Sequence, residues 1–359
     1  MTASRRLILT GAATAAASAL TAALPAQAQS AAPSRDARPG AAPEPLRARR
    51  LKAGDTIGLV SPANATYERE PLEIAVESLR SLGFKVKLGQ HVRGRYGQFG
   101  GTDLERAADI NDFFADDEVA GIIALTGGSG SNRIVDKLNY ALIRRKPKFF
   151  GGFSDLTSLV NAIQKQTGLI TFHCPVAGSD WNEFSLQHFK SVVMDAQPDL
   201  LQNPPFTGGP GVVQREDRIS TLRAGVARGP LVGGNLAVLS SLAGSAYFPD
   251  TRGAILFLEE INEYIYRVDR MLSTLRLCGA LDQLAGVVLG KFTKCEPGDG
   301  YGTLTLDEVF DDYFLPLNVP VYRGAMIGHI KRKFTVPVGQ AAEMDASAGT
   351  IRLLSAAVV

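Results

Sequence analysis

A glycine-rich heptapeptide, TGGSGSN at residues 126–132, is the first stretch of this sequence whose residue types could do chemistry. It follows VAGIIAL, a run typical of a buried strand, and precedes a segment with helical periodicity. Glycines at such a junction expose backbone N–H groups to anions. The spacing lacks the third glycine of a dinucleotide motif, because Arg133 stands there, and it lacks the Gly-Lys-Ser/Thr of a phosphate loop. Only a weak anion site stays open.

The same turn also fits a serine nucleophile. A sharp strand-turn-helix lifts one hydroxyl out of the fold, and small neighbours leave room for the substrate. Ser131 stands where the helix would begin, so the N–H groups of Asn132 and of Gly127 or Gly128 could converge on an oxyanion. The heptapeptide alone favours a plainer interpretation, in which Ser131 caps that helix.

A serine nucleophile needs a base, and the chain has four histidines: His91, His173, His188 and His329. His91 and His188 lie in polar contexts and are expected at the surface. His173 and His329 close the apolar runs LITFH and AMIGH, which places them at the rim of a sheet, where α/β folds bind ligands. These two are the candidate bases, and a structural role stays open for each. Their spacing offers no metal set.

An orienting carboxylate is available at the end of the run AILFL, where Glu259 and Glu260 follow. Successive strand residues point to opposite faces, so only one of them can serve a site. A buried carboxylate must be paired or neutralised. The alternative for Glu260 is an ion pair with Arg267 or Arg270 on the next helix.

The elements that must position these residues follow an alternation of apolar strands and amphipathic helices, which predicts an α/β fold with a mostly parallel sheet. This alternation of strands and helices stops in a Pro- and Gly-rich stretch, which predicts an interdomain linker at 201–228. The linker would separate domains at 51–200 and 229–359. Helices are predicted at 70–82, 102–115 with a Thr102–Glu105 capping box, 131–143, 156–166, 264–278 and 305–314.

The N-terminus has the pattern of an export signal. Arg5 and Arg6 precede an apolar, small-residue stretch, and Ala26-Gln27-Ala28 supplies a cleavage site. Residues 1–28 are therefore predicted to be a signal of the twin-arginine type, with Ile8 in place of the more usual Phe, and the protein is expected in the periplasm. An ordinary secretory signal stays open. The apolar region is short for a permanent membrane span, and residues 29–50 are predicted to be a disordered linker.

Composition excludes little else. The 359 residues carry 38 Lys and Arg against 36 acidic residues, a formal charge of +2, which does not support nucleic-acid binding. Cys174, Cys278 and Cys295 match no zinc or disulfide framework. Buried free thiols are expected, although one disulfide stays open.

Six ordered blocks together resemble the L,D-carboxypeptidases of murein recycling and the related microcin-immunity serine peptidases. The resemblance runs from about residue 51 to the last strand. The blocks are GDTIGLVSPA, GTDLERAADINDFFADDEVAGIIALTGGSGSNRIVDKLNY, GFSDLTSLVNAIQKQTGLITFHCP, GGNLAVLSSLAGS, ILFLEEINEYIYRVDRML and GHIKRKFTVPVG.

The resemblance implies a Rossmann-like N-terminal domain with a parallel sheet, a smaller C-terminal α/β domain of swivelling type, and an active site in the cleft between them. It implies a Ser-His-Glu triad of Ser131, His329 and Glu259, without metal or organic cofactor. The chain departs from its relatives at Ser129, in the His173-Cys174-Pro175 block and at residues 263–267. These departures leave the triad whole and bear on the substrate pocket.

The implied reaction releases the terminal D-Ala of a murein tetrapeptide through an acyl-enzyme. The alternatives are an exported peptidase or amidase of the same superfamily for other peptides or peptide antibiotics, and a non-catalytic module that binds murein fragments. The resemblance also implies a homodimer. The expected oxyanion and substrate-binding residues are Gly128, Asn132, Arg133, His173 and Arg267, with Arg133 or Arg267 as the partner of the leaving carboxylate.

Overall fold

The computed structural model describes residues 44–208, 212–298 and 302–359. The predicted export signal and most of the predicted disordered linker lie outside these residues. The end of that linker is ordered, because Leu46 forms a parallel bridge with Leu169. The folded part therefore begins before residue 51, contrary to the predicted boundary. No described helix is both long and apolar enough to cross a bilayer.

Fourteen strands form two sheets within the described residues. Their bounds are β1 Thr56–Val60, β2 Lys85–Leu88, β3 Val119–Ala124, β4 Phe149–Gly152, β5 Thr171–His173, β6 Leu200–Gln202, β7 Ser220–Arg223, β8 Val226–Asn235, β9 Ile255–Ile261, β10 Gly286–Thr293, β11 Val321–Arg323, β12 Val336–Val338, β13 Ala341–Asp345 and β14 Thr350–Leu353.

Eight α-helices accompany the strands in the described part of the chain. They are α1 Arg69–Ser81, α2 Asp103–Ala115, α3 Tyr140–Arg145, α4 Thr157–Thr167, α5 Glu183–Phe189, α6 Leu236–Ser241, α7 Ile265–Leu277 and α8 Leu306–Phe314. Short 3₁₀ turns lie at Ser131–Lys137, Ser154–Leu156 and Leu315–Leu317, and a π-helical turn at Lys190–Met194.

The first sheet has the strand order β12-β5-β4-β3-β1-β2, and all its pairs are parallel except β12 with β5. Its central strands β3 and β4 are buried at every residue, as expected for a parallel sheet covered on both faces. Strand β2 at the edge is mostly exposed. The edge strand β12 comes from the last part of the chain, so the predicted N-terminal domain is completed by residues that follow both Glu259 and His329.

The second sheet has the order β6-β14-β13-β8-β9-β10-β11-β7. Strands β8 to β11 are parallel to one another, and the outer pairs are antiparallel. The predicted linker at 201–228 is therefore not a plain connection, because it holds most of β6, all of β7 and the start of β8.

Helix α4 ties the two sheets together. Its Asn161 Nδ2 donates to the carbonyl of Gly233 in β8 at 2.8 Å, and its Thr157 Oγ1 accepts from the N–H of Asn235 at 2.9 Å. Both residues of α4 and both of their partners in β8 are buried. Because buried polar groups are costly to leave unpaired, these bonds hold the first turn of α4 in register with β8.

Most predicted helices are confirmed within a residue or two at each end, and the Thr102–Glu105 capping box is present. The prediction of one continuous helix at 131–143 is wrong. The segment is a 3₁₀ turn that ends at Lys137, followed by the separate helix α3. Leu138 is extended between them, and the side chain of Asn139 accepts from the N–H of Leu142 to begin the new helix.

All three cysteines are free thiols. Cys174 and Cys295 are buried as predicted, whereas Cys278 is exposed. Cys278 follows the last residue of α7 as its C-cap, which places it at the surface.

Arg106 of α2 is hydrogen-bonded to the backbone of the glycine-rich heptapeptide. It is 2% exposed, and its guanidinium donates to the carbonyls of Pro62 and of Gly130, the latter at 2.9 Å, and to Asp103 at 2.6 Å. Arg133 also donates to Asp103, at 2.9 Å, but its side chain is half-exposed.

We expect Arg106→Met to lower the free energy of unfolding by about 2 kcal/mol or more, because it leaves the Pro62 carbonyl without a donor among the described residues and also removes the bonds to Gly130 and Asp103. Arg133→Met is the matched control, since it removes a guanidinium from the same carboxylate at the surface, where we expect a change of about 0.5 kcal/mol or less. Urea denaturation measures both. Equal losses in the two variants would contradict the supporting role of Arg106.

Candidate active site

Glu259 lies near the end of β9, in the middle of the second sheet, and is fully buried. Its Oε2 lies 2.8 Å from Nδ1 of His329, which stands on the loop after β11. Gly328 makes this approach feasible. Its φ is +125°, and a Cβ there would lie 2.9 Å from both Cβ and Oε2 of Glu259. The prediction that these two residues meet agrees with the structure.

The other ring nitrogen of His329 faces Ser154. The distance from Nε2 to Ser154 Oγ is 2.9 Å. Ser154 follows β4 and begins the 3₁₀ turn that leads into α4, with φ at +64°. A positive φ is uncommon for a residue with a side chain, and such strain concentrates at functional turns. The structure thus brings together Ser154, His329 and Glu259.

Ser131 does not take the place predicted for it. It is fully buried, its N–H donates to Asp155 Oδ2 at 2.7 Å, and its Oγ bonds to the Asp155 carbonyl and, at 2.7 Å, to Ser158 Oγ. The turn at 131–137 points the hydroxyl inward, against the start of α4. The hydroxyl that His329 meets is therefore Ser154, and the predicted position of Ser131 in the triad is wrong geometrically.

A signal for Ser154 was present in the sequence. GGFSD follows the apolar KFF in a predicted core strand, so a serine there stands at the strand-to-helix turn typical of an exposed nucleophile. Two such turns follow neighbouring strands, β3 and β4. The first turn is richer in glycine, and this pattern favours Ser131 over Ser154 as the nucleophile candidate.

The glycines of TGGSGSN nevertheless lie at the site. A Cβ on Gly127 would come 2.8 Å from Cβ and 3.0 Å from Oγ of Ser154, so the Gly127 backbone packs against that hydroxyl. Gly128 has φ at +120° and faces Asn64, whose Oδ1 accepts from the N–H of Ser129 at 3.0 Å. The glycine backbone of this loop therefore lies against Ser154, whereas the sequence predicted that it would serve Ser131.

Asn132 and Arg133 lie beside this loop. Asn132 Nδ2 donates to Ser241 Oγ of α6, and Arg133 stacks over Phe99 with 5.1 Å from Cζ to the ring centroid. They line an open groove with Gly128, Ser129 and Asp155. Burial raises the pKa of the Asp155 carboxyl above its usual range, against the opposing effect of its bond from Ser131.

His173 and Arg267 lie outside the Ser154–His329–Glu259 chain of contacts. His173 is buried between Phe153 and Phe257, and neither ring nitrogen has a hydrogen-bond partner among the described residues. Burial lowers the pKa of His173 to about 4. Arg267 is half-exposed and pairs with Glu263 at 3.4 Å.

Glu260 lies on the opposite face of β9, as predicted, but the ion pair with Arg267 or Arg270 that was the alternative for it is absent from the contacts of the described residues. Its carboxylate instead accepts from Asn235 Nδ2 at 2.9 Å and from the Ala237 N–H at 2.7 Å, at the start of α6. Burial raises the pKa of Glu260 to about 7.

The geometry allows a proton relay. A carboxylate on Nδ1 holds the imidazole in the tautomer that leaves Nε2 free to accept from a hydroxyl. The full burial of Glu259 strengthens its attraction to an imidazolium, because little water screens it. Residues 44–208, 212–298 and 302–359 contain no cluster of three or more His, Cys, Asp or Glu side chains that could hold a metal ion.

Comparison with known proteins identifies the family of this chain. The profile described as LD-carboxypeptidase N-terminal domain matches residues 57–174, and the C-terminal domain profile matches residues 228–344. The probable murein peptide carboxypeptidase of Bacillus subtilis is 37% identical over 84% of this chain and 92% of its own length. The chain belongs to the LD-carboxypeptidase family. It is a hydrolase of the carboxypeptidase class.

Solved structures of LD-carboxypeptidase relatives confirm the fold. MccF in complex with glutamyl sulfamoyl guanosine superposes with a TM-score of 0.78 at 26% identity, covering 88% of this chain and all of that one. The muramoyltetrapeptide carboxypeptidase of Oxalobacter formigenes superposes with a TM-score of 0.70 at 30% identity. The match covers 83% of this chain and 97% of that one. The predicted α/β architecture of two domains is therefore confirmed.

The buried His173 predicts a measurable acid sensitivity. Its pKa falls from an ordinary 6.5 to about 4 on folding, so only the unfolded chain takes up a proton between those values. Wild type should therefore lose stability as pH falls from 6.5 to 4, by an amount on the order of 3 kcal/mol relative to His173→Leu. Urea denaturation of both proteins across this range measures the difference. Parallel pH curves would show that folding does not depress this pKa.

Proposed function

We propose that this enzyme is a serine peptidase that hydrolyses the L,D-peptide bond of murein tetrapeptides and releases the terminal D-amino acid. The observation that carries the mechanism is the position of the His329 ring, 2.9 Å from Ser154 Oγ and 2.8 Å from Glu259 Oε2. The substrate class is supported by the names of the relatives from Bacillus subtilis and Oxalobacter formigenes.

In the proposed reaction His329 takes the proton of Ser154 while Oγ attacks the carbonyl carbon of the L-configured residue. Glu259 stabilises the imidazolium that forms. His329 then gives this proton to the amine of the leaving D-amino acid as the C–N bond breaks. Water, activated by the same histidine, attacks the ester to release the peptide and restore Ser154.

The oxyanion of the tetrahedral intermediate needs N–H donors. In strand-turn-helix nucleophile sites one donor is the residue after the serine, which is Asp155 here. The second donor should come from the backbone at Gly127 and Gly128, because Gly127 packs against Ser154. Gly128 thereby keeps its expected role, whereas Asn132 follows a serine that His329 does not contact.

A second candidate function is hydrolysis of other peptides or peptide-like antibiotics. It is favoured by the similarity to MccF, the microcin C7 self-immunity protein, over the full length of the solved MccF chain. Mass spectrometry of products from a murein tetrapeptide and from a panel of acyl-sulfamoyl nucleosides separates the two functions. The non-catalytic binding module has less support, because it would not require the contacts of His329 with both Ser154 and Glu259.

The identity of the nucleophile gives a direct test. We expect Ser154→Ala to lower kcat for D-Ala release by about a thousandfold or more, because within the described residues no other hydroxyl is hydrogen-bonded to the His329 ring. Ser131→Ala is the matched control. It removes a buried hydroxyl from the neighbouring turn and should act mainly through stability, by about 1 to 3 kcal/mol.

D-Ala release is measured with both variants at a temperature where circular dichroism shows them folded. Loss of release in Ser131→Ala together with retention in Ser154→Ala would restore the original assignment. A serine-reactive fluorophosphonate should label wild type and Ser131→Ala, and leave Ser154→Ala unlabelled.

We also propose export to the periplasm by the twin-arginine route, on the pattern of residues 1–28. Replacing Arg5 and Arg6 by lysine keeps the positive charge that an ordinary secretory signal needs but removes the arginine pair. The double variant should stay inside the cell, as measured by fractionation and immunoblotting. Unchanged export would indicate an ordinary secretory signal. The homodimer stays a prediction.

A further inference from the structure

A largely buried lysine side chain lies beside His329 and takes no part in the steps above. Lys333 is 7% exposed, four residues after His329, and its Nζ lies 3.8 Å from the centroid of the Phe153 ring. Phe153 immediately precedes Ser154. Within the described part of the chain, Nζ makes no hydrogen bond or ion pair. The stem of the lysine is buried, whereas Nζ keeps some accessible surface and has no direct counter-ion among the described residues, so it is open to an anion.

The acidic groups around Lys333 do not pair with it directly. Glu259 acts on it through space but is already bonded to His329, and Asp180 is an exposed residue at the rim. Burial outweighs both and lowers the pKa of Lys333 to about 8. The side chain therefore remains largely protonated at neutral pH, with a positive charge that a bound anion could neutralise.

Lys333 lies on the His329 side of the site, away from the glycine loop. It lines a shallow depression together with Phe153, Asp180 and His329. The glycine loop and Asp155 line a separate groove. Because His329 gives its proton to the leaving amine, the leaving residue must lie on the His329 side, and the oxyanion donors lie on the glycine side. Lys333 is thus on the leaving-group side.

We propose that Lys333 binds the free C-terminal carboxylate of the leaving amino acid and so makes the enzyme a carboxypeptidase. This inference rests on the proposed function. A substrate carboxylate would supply the counter-charge that Lys333 lacks, in a weakly screened environment where the attraction is strong. An amidated or extended C-terminus would leave the ammonium without a counter-charge, so selectivity for the chain end follows from the same contact.

The two arginines expected to hold this carboxylate are less suitable. Arg133 is already bonded to Asp103 and lines the groove on the glycine side. Arg267 is paired with Glu263 and lines a different surface depression, with Asn262, Tyr264 and Lys294. Neither lines the depression that contains His329.

The test compares two substrates with the same enzyme: a murein tetrapeptide ending in D-Ala, and the same peptide ending in D-alaninamide. Wild type should prefer the free acid in kcat/KM by about 10- to 100-fold, the range expected of a charged hydrogen bond. Lys333→Met should reduce this ratio to near one, with the loss confined mainly to the free acid and seen mainly in KM. A ratio is insensitive to the fraction of folded enzyme.

Lys148→Met is the matched control. Lys148 is also 7% exposed, but its Nζ donates to the carbonyls of Phe113 and Asp116, away from His329. Removing that ammonium should lower stability and leave the substrate ratio as in wild type. Fluorophosphonate labelling of Ser154 in Lys333→Met verifies that its active site is assembled.

The outcomes separate the two proposals. D-Ala release by wild type with an unchanged ratio in a labelled Lys333→Met enzyme would overturn the role of Lys333 and leave the proposed function standing. No D-Ala release by a wild type that is labelled at Ser154 would overturn the proposed function, and this inference with it. If Lys333→Met loses the preference for the free acid and Lys148→Met keeps it, the result supports both the proposed function and the role of Lys333.

Discussion

The contact between the buried Glu259 carboxylate and His329 is the constraint on which the rest of the site depends. A carboxylate at the centre of a sheet needs a partner, and the imidazole is the partner that the structure supplies to Oε2. The bond sets the ring so that its second nitrogen faces Ser154. Gly328 has the backbone conformation and the missing Cβ that let the histidine loop approach β9 closely. A loss of this packing would misplace the base itself.

The serine and its base come from different sheets, so their distance depends on how the sheets are joined. Ser154 follows β4 of the first sheet, whereas Glu259 and His329 belong to the second. The bonds of Thr157 and Asn161 to β8 bind the helix after Ser154 to the second sheet. Strand β12, which follows His329 along the chain, returns to pair with β5. The contacts of α4 with β8 and the pairing of β12 with β5 together hold Ser154 and His329 at their distance.

Charge is distributed unevenly around the Ser154–His329 pair. The glycine side presents backbone and the exposed Arg133, which is paired with Asp103, a carboxylate that it shares with Arg106. The opposite side presents Lys333 under Phe153, with no bonded anion in the described chain. A substrate with a neutral carbonyl in the middle and a carboxylate at one end matches this arrangement in one orientation only. Orientation and chemistry therefore come from the same few residues.

Local patterns were sufficient for much of the fold. The capping box at Thr102, the helix near Ile265–Leu277 and the opposed faces of Glu259 and Glu260 follow from spacing within one segment, and all are present. The pairings of β12 with β5, of β6 with β14 and of β7 with β11 could not be derived in this way, because each joins residues far apart in the sequence.

The sequence by itself determined the residue types available for chemistry: strand-end histidines, a carboxylate closing a core strand, and serines at strand-to-helix turns. Only the tertiary structure decided which serine meets the base. Ser131 and Ser154 follow adjacent parallel strands and differ in direction, one hydroxyl turned into α4 and the other toward His329. Which serine meets His329 depends on the backbone conformation at Ser154 and on the position of the second sheet. Neither can be predicted from the residues of one segment.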